Sequence, residues 1–187
     1  MSSHVKNNEF EILFNRNNTI DSLVHPKDKY RMNWVEGAKP WGTVRCPEEL
    51  SLSISREYTS QGRLKETYEF VNQTDVDVFV KTGDIAIYAT FNDNYQEAAV
   101  CMTNRCHAHI WCGGQVSYIM ALRMGGTTPH LGLILTKGSL ETYSIERDIE
   151  KISNDRGDFL LHPSPFSIMS GEKYTLEWEL FWHDGKD

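Results

Sequence analysis

Apolar and polar residues alternate with a period of two along most of the chain, and this period constrains the fold more than any other feature. Residues 50–58, LSLSISREY, place Leu50, Leu52 and Ile54 on one parity and serines on the other. Residues 173–183, KYTLEWELFWH, alternate large side chains in the same way. Successive side chains of a strand point to opposite sides, so this pattern is typical of strands with one buried face.

Turn-forming residues separate these runs, in stretches such as NQTD, FNDN, CGGQ, GGTTP and TKGS. About a dozen short strands at this spacing predict an all-β fold, a large antiparallel two-sheet β-sandwich. Little helix is predicted, and only at 94–100 and 147–153. No repeat or linker divides the sequence, so we expect residues 1–187 to form a single β-sandwich domain.

Charge and apolar patterning exclude several kinds of partner. The formal net charge is −7 and no run of Lys or Arg occurs, so we expect neither a nucleic acid nor an anionic membrane surface as a partner. No apolar run approaches the ~18–20 residues of a membrane-spanning helix. The beginning, MSSHVKNNEFEILF, lacks the apolar core of a signal peptide, and four cysteines in such a chain favour reduced thiols and a cytoplasmic location.

The stretch CHAHIWCGG, residues 106–114, concentrates residue types that bind metals. If it is a strand, Cys106 and Cys112 share a parity with Ala108 and Ile110, and we expect this side to face the core as reduced thiols. The candidate functional side is the other one, formed by His107, His109 and Trp111. One ion cannot collect ligands from both sides of a single strand, so the whole cluster fails as a four-ligand site.

A smaller metal site remains as an alternative. His107 and His109 are two residues apart on one face, a spacing at which two imidazoles reach one ion. The third ligand would come from His130, His183 or a carboxylate. We expect instead that the two histidines line a polar face with Trp111, and that the protein has neither a metal site nor a cofactor.

Other candidates come from residue types that contact sugars. Trp34 and Trp41 bracket a Gly/Pro loop, WVEGAKPWG, and would offer flat apolar platforms, although clamping of that loop onto the sandwich explains them equally well. Asn92 and Asp93, in FNDNY at a strand end, could supply hydrogen bonds to a ligand or simply form a turn.

Two basic residues at strand ends complete the candidate set. Arg123 lies before MGG, where a ligand contact and a buried ion pair are both open. His130 follows Pro129 at the start of a strand, where a structural histidine is favoured. No nucleophile elbow, phosphate-binding loop, dinucleotide fingerprint or H-E-x-x-H sequence occurs, so no catalytic residue can be named.

The order of the strands resembles a known architecture. The runs ETYEFVNQTDVDVFVKTGDIAIYATFND, HIWCGG, YIMALRMGG and PHLGLILTKGSLETYSIER, with the closing YTLEWELFWHDG, resemble the β-supersandwich that precedes an (α/α)-barrel in bacterial glycoside hydrolases and phosphorylases. That domain is similar to the galactose-mutarotase-like fold. The resemblance implies an N-terminal accessory domain of a larger carbohydrate-active enzyme, not catalytic by itself.

The resemblance also sets the partners and the alternatives. It implies a carbohydrate or a downstream catalytic domain as partner, and it leaves a homo-oligomer open. The first alternative is a stand-alone epimerase or mutarotase, an enzyme type that uses a glutamate base and histidines, although that set cannot be matched in order onto this sequence. The second alternative is a metal-binding, cupin-like β-barrel built on His107 and His109.

Overall fold

The computed structural model describes residues 3–93, 95–147 and 157–185, and these residues form an almost entirely β structure. A single short helix, α1 (Ala98–Thr103), is found among them. The strands are β1 (Ser3–Lys6), β2 (Glu11–Phe14), β3 (Ile20–Val24), β4 (Val44–Arg45), β5 (Leu50–Tyr58), β6 (Leu64–Asn72), β7 (Val78–Val80), β8 (Ala86–Ala89), β9 (Cys106–Trp111), β10 (Tyr118–Arg123), β11 (His130–Lys137), β12 (Leu140–Arg147), β13 (Gly157–Pro163), β14 (Phe166–Ile168) and β15 (Lys173–His183).

The largest sheet has six strands in the order β5-β6-β15-β11-β10-β9, and each neighbouring pair is antiparallel. Three smaller antiparallel sheets have the orders β1-β2-β3, β12-β13-β8-β4 and β14-β7. Strand β15 joins two hairpins, because it pairs with β6 on one side and with β11 on the other.

The core lies between the six-stranded sheet and the smaller sheets. One continuous cluster of buried side chains includes Tyr68 and Trp178 of the large sheet together with Ile12, Ile87 and Ile168 of the three smaller ones. The alternation read from the sequence accounts for this, because one parity of each long strand enters the cluster and the other remains outside. The predicted antiparallel β-sandwich is therefore confirmed, with the second layer divided into smaller sheets.

The predictions of helix are confirmed in part. Helix α1 overlaps the predicted segment 94–100, although it begins later and ends at Thr103. Of the other predicted segment, 147–153, only Arg147 is described, and it ends strand β12. None of the helical residues described here forms a segment that is long and apolar enough to cross a bilayer.

A buried carboxylate connects the layers of the sandwich. Glu66 is fully buried, and its Oε2 accepts hydrogen bonds from the indole Nε1 of Trp41 (2.8 Å) and of Trp178 (2.7 Å). Its Oε1 accepts a hydrogen bond from Nε of Arg56 at 2.6 Å. Arg56 in turn donates from Nη1 to the backbone oxygen of Asn18, at 2.6 Å. This network thereby joins β5, β6 and β15 to the Trp41 loop and to the turn before β3.

We predict that Glu66→Gln lowers the free energy of unfolding by about 3–5 kcal/mol, because it leaves the buried guanidinium of Arg56 without its counter-charge. Urea denaturation followed by tryptophan fluorescence measures the change. The matched control is Glu69→Gln on the same strand, where the carboxylate pairs with Lys173 on the opposite, partly exposed face. Its unfolding midpoint should stay near that of the unmodified protein. Equal, small effects of both substitutions would show that Glu66 does not hold the layers together.

Candidate functional site

Strand β9 presents its two sides as the sequence predicts. Cys106 is buried in the core, and Ala108 and Ile110 pack against the core, half-buried. Cys112, expected to be buried like Cys106, is only half-buried. On the opposite side His107, His109 and Trp111 are exposed, with 57% of the Trp111 surface accessible. Strand β9 is the edge strand of the six-stranded sheet, so these side chains lie at one border of the sheet surface that faces away from the core, which we call the outer face.

Strand register aligns apolar side chains across the outer face. Trp111 lies opposite Tyr118 of β10, and Tyr118 lies opposite Ile134 of β11. Tyr118 and Ile134 are 44% and 41% exposed, which is unusual for large apolar residues on adjacent strands. This row of two aromatic residues and one isoleucine, which we call the aromatic row, runs across the strands, which are about 4.8 Å apart.

A second row lies beside the first and contains His109, Met120, Gly132 and Phe181 in register. Phe181 covers Gly132, because a Cβ atom on that glycine would lie only 2.5 Å from Cζ of the ring. The guanidinium of Arg63 lies 5.0 Å from the centre of the same ring and pairs with Glu179 at 2.9 Å. Gly132 thus allows an aromatic side chain to lie low on the sheet surface.

The two rows enclose two adjoining grooves. One has a volume of about 300 Å³ and is lined by His109, Ile110, Trp111, Tyr118 and Met120. The other, about 490 Å³, shares Tyr118 and Met120 with the first and continues past Ile134 to Phe181 and His183. The lining is mainly apolar, with imidazoles at both ends. Both volumes lie within the range of small-molecule pockets, about 300–1,000 Å³.

The imidazole of His107 is adapted to act as a neutral hydrogen-bonding group. Partial burial lowers its pKa, and the positive charges of Arg105 and His109 lower it further. The neutral form of His107 therefore persists to lower pH than in a free histidine, and one ring nitrogen remains an acceptor near neutral pH.

The structure corrects the prediction for Trp34 and Trp41. Both side chains are completely buried, so neither ring can offer a platform to a sugar. Trp41 donates its indole proton to Glu66, and Trp34 packs edge-on against Trp182 at 5.7 Å. They clamp the loop between them onto the core, which is the structural explanation that the sequence left open.

Asn92 is also part of the interior. Its side chain is fully buried and donates from Nδ2 to the backbone oxygen of Asn33 at 2.7 Å, while its backbone N–H bonds to Trp34 at 2.9 Å. Of the two roles that the sequence left open for Asn92, a ligand contact and a turn, these buried hydrogen bonds support the structural one. Asp93 is partly exposed, and its charge, after burial, contributes to raising the pKa of Cys106.

Arg123 and His130 belong to a second buried polar cluster. Nη2 of Arg123 bonds to Oδ2 of Asp28 at 2.7 Å, and both side chains are fully buried. The backbone N–H of Arg123 donates to Nδ1 of His130 at 3.0 Å. Of the two alternatives that the sequence left open for Arg123, a ligand contact and a buried ion pair, the structure shows the ion pair. His130 is the structural histidine that the sequence favoured, and its assignment to a binding face is corrected.

The metal alternative finds no third ligand in the part of the chain that the structure describes. Within residues 3–93, 95–147 and 157–185, no three His, Cys, Asp or Glu side chains are placed to hold an ion. His130, one proposed third ligand, is turned to the backbone of Arg123. His107 and His109 therefore gain no support as the metal-binding core of a cupin-like barrel.

Sequence reasoning missed Tyr118, Ile134 and Phe181 of the outer face. Ile134 and Phe181 sit in runs rich in apolar residues, HLGLILTKG and LEWELFWH, where the outward parity carries bulky side chains as well as the inward one. The signal in the sequence was a large apolar side chain at a strand position expected to face solvent. Only the register of β9, β10, β11 and β15 shows that these side chains lie next to one another.

Comparison with solved structures finds a similar fold within a carbohydrate-active enzyme. A polysaccharide lyase matches 98% of the chain at 32% identity and a TM-score of 0.82, and the chain spans about a third, 34%, of that lyase. A protein from the human microbiome named as a kojibiose phosphorylase matches 95% of the chain at 10% identity and a TM-score of 0.40, over 20% of its own length. No protein-family model and no curated protein matches the sequence.

The orientation of β9 can be tested through its thiols. All four cysteines are unbridged, and burial raises the pKa of the Cys106 thiol to about 12. We predict that the half-buried thiols of Cys46 and Cys112 react with a disulfide reagent in the native protein, whereas Cys101 and Cys106 react only on unfolding. Cys106→Ala and Cys112→Ala assign the fast and slow phases. Fast native labelling that disappears in Cys106→Ala would show that β9 is turned the other way.

Proposed function

We propose that this chain is a non-catalytic, carbohydrate-associated domain of a polysaccharide-cleaving enzyme, and that it holds saccharide on its outer face. The observation that carries the proposal is the aromatic row of Trp111, Tyr118 and Ile134 beside an open groove. We further assign the sandwich to the galactose-mutarotase-like supersandwich class, as its strand order in the sequence suggested.

The aromatic row suits the apolar faces of sugar rings. The C–H faces of a pyranose are flat and weakly hydrated, and an indole or phenol ring buries them with little loss of side-chain freedom. The exposed Trp111 and Tyr118 offer such surfaces without any change in the core. Because the row crosses three strands, about two inter-strand spacings of ~4.8 Å, it is long enough for more than one sugar unit.

Polar groups at the margins of the grooves suit hydroxyl groups. His109 lies at one end, His183 at the other, and the neutral imidazole of His107 extends the edge along β9. Each imidazole can accept or donate a hydrogen bond. The histidines at the margins would therefore bond to sugar hydroxyl groups, while the apolar side chains between them would contact the C–H faces of the ring. Few polar contacts on a mostly apolar, open floor favour weak binding to each sugar unit.

Similarity to the polysaccharide lyase supports the carbohydrate association. The match extends over nearly the whole chain at 32% identity, yet it covers only a third of the lyase. We therefore propose an accessory role within a larger enzyme and transfer no catalytic residue.

The epimerase alternative is less favoured by the composition of the grooves. Sugar-ring chemistry of that type needs a carboxylate base beside the histidines. Among the described residues that line the two grooves, no Asp or Glu is present. The nearest acid in the strand register, Glu179, is engaged by Arg63. A mutarotation assay on several aldoses with the purified protein should give no rate above the uncatalysed one.

We predict that Trp111→Ala weakens saccharide binding without unfolding the protein. Affinity electrophoresis through gels containing pectin, alginate or xylan should show retardation of the unmodified protein in at least one gel and loss of it in the variant. For a single free sugar we expect millimolar affinity, about −4 kcal/mol. The melting temperature should stay near that of the unmodified protein, because the indole is mostly exposed.

The matched control is Phe79→Ala. Phe79 is a similarly exposed aromatic residue, 59% accessible, but it lies on β7 in the two-stranded sheet. Its removal should leave the retardation unchanged. Absence of retardation by every polysaccharide, or equal loss in both variants, would contradict the saccharide-binding face and favour contact with another domain instead.

A further inference from the structure

Arg105 carries a buried positive charge directly before the start of β9. Its side chain is 1% exposed, and within the described part of the chain its Nε and Nη2 atoms find no hydrogen-bond acceptor. None of the ion pairs formed by described residues includes it. Arg123, by contrast, is also fully buried but has Asp28 and two backbone carbonyls as acceptors.

Burial of an unpaired guanidinium is costly, so its position requires an explanation. Taking a charge out of water costs several kcal/mol unless an opposite charge or hydrogen bonds replace the water. The ring of Tyr95 lies over the guanidinium, with its centre 5.0 Å from the guanidinium carbon. A cation–π contact recovers a part of the cost, and it leaves the nitrogen edge of the guanidinium unsatisfied.

The position of Arg105 connects it with the outer face. It directly precedes β9 and shares the parity of His107, His109 and Trp111, and its charge contributes to lowering the pKa of His107. From Arg105 to Trp111 there are six residue-to-residue steps, about 20 Å along the strand. Tyr95 covers the guanidinium and is itself 63% exposed, so the cover is a side chain with few contacts of its own.

We propose that Arg105, covered by Tyr95, is the anchor of a carboxylate-binding site at the end of this outward row. A carboxylate matches the planar fork of donors on a guanidinium and satisfies Nε and Nη2 together. The Tyr95 ring shifts off the face of the guanidinium to admit the carboxylate and packs against the carbon skeleton of the ligand. The carboxylate belongs either to an acidic sugar or to a free organic acid. The acidic sugar rests on the proposed function, whereas the free organic acid does not.

The test measures the melting temperature as sodium acetate replaces sodium chloride at constant ionic strength. A ligand that binds only the native state raises the melting temperature, and we expect a rise of about 2–4 °C. Arg105→Met, which keeps a side chain of similar length without charge, should abolish the rise. Arg63→Met is the matched control, because Arg63 is partly exposed and already paired with Glu179, and it should retain the rise.

Two further arms identify the source of the carboxylate. Glucuronate should reproduce the effect of acetate and glucose should not, and a greater effect of glucuronate than of acetate assigns the site to an acidic sugar. An equal effect of the two assigns it to the carboxylate group alone. An identical response to glucose and glucuronate, or an acetate response that persists in Arg105→Met, would overturn the proposal.

A direct measurement on the unmodified protein does not depend on the variant folding. Neutralisation of Arg105 by a bound carboxylate should raise the pKa of His107, which NMR titration of its ring protons records with and without acetate. An unchanged His107 titration at saturating acetate would also overturn the proposal. The proposed saccharide-binding function is tested separately from the carboxylate site. If no polysaccharide retards the protein but acetate still raises the melting temperature, the saccharide-binding function is contradicted and the carboxylate site is supported.

Discussion

The rest of the sandwich depends on the hydrogen bonds that the buried carboxylate of Glu66 accepts. The carboxylate lies in the middle of the core and accepts hydrogen bonds from two tryptophan indoles and one arginine, which come from three separate parts of the chain. A buried carboxylate is tolerated only when such partners replace its water. Their geometry therefore fixes the position of β5 and β15 relative to β6, and it draws the Trp41 loop down onto the sheet.

The outer face follows from that arrangement. With Leu176, Trp178 and Leu180 of β15 committed to the core, the alternate positions Glu179 and Phe181 must face outward. The register between β15 and β11 then sets Phe181 over Gly132, and the next two registers bring Ile134, Tyr118 and Trp111 into line. The same strands thus place a polar network in the core on one side and apolar side chains on the outer face on the other side.

The sequence predicted local features well and long-range ones poorly. Alternation alone correctly assigned the two sides of β9, because the direction of a side chain on a strand depends only on its parity. It could not show that Trp41 reaches Glu66, 25 residues away, or that Arg123 pairs with Asp28 at a separation of 95 residues. The inward position of Glu66 was indicated by its parity with Leu64 and Tyr68, although a charged residue in a strand is usually solvent-facing. The aromatic row emerged only with the register of the three strands β9, β10 and β11.

The saccharide-binding face is tested most directly by NMR of the indole N–H groups of the five tryptophans. Oligosaccharides from the polysaccharide that retards the protein are titrated into labelled protein. The account predicts that the Trp111 signal shifts progressively, whereas the signals of Trp41 and Trp178 stay fixed, because Glu66 holds their protons in the core. A titration in which Trp111 stays unchanged while saccharide binds would contradict the claim that this face holds the sugar.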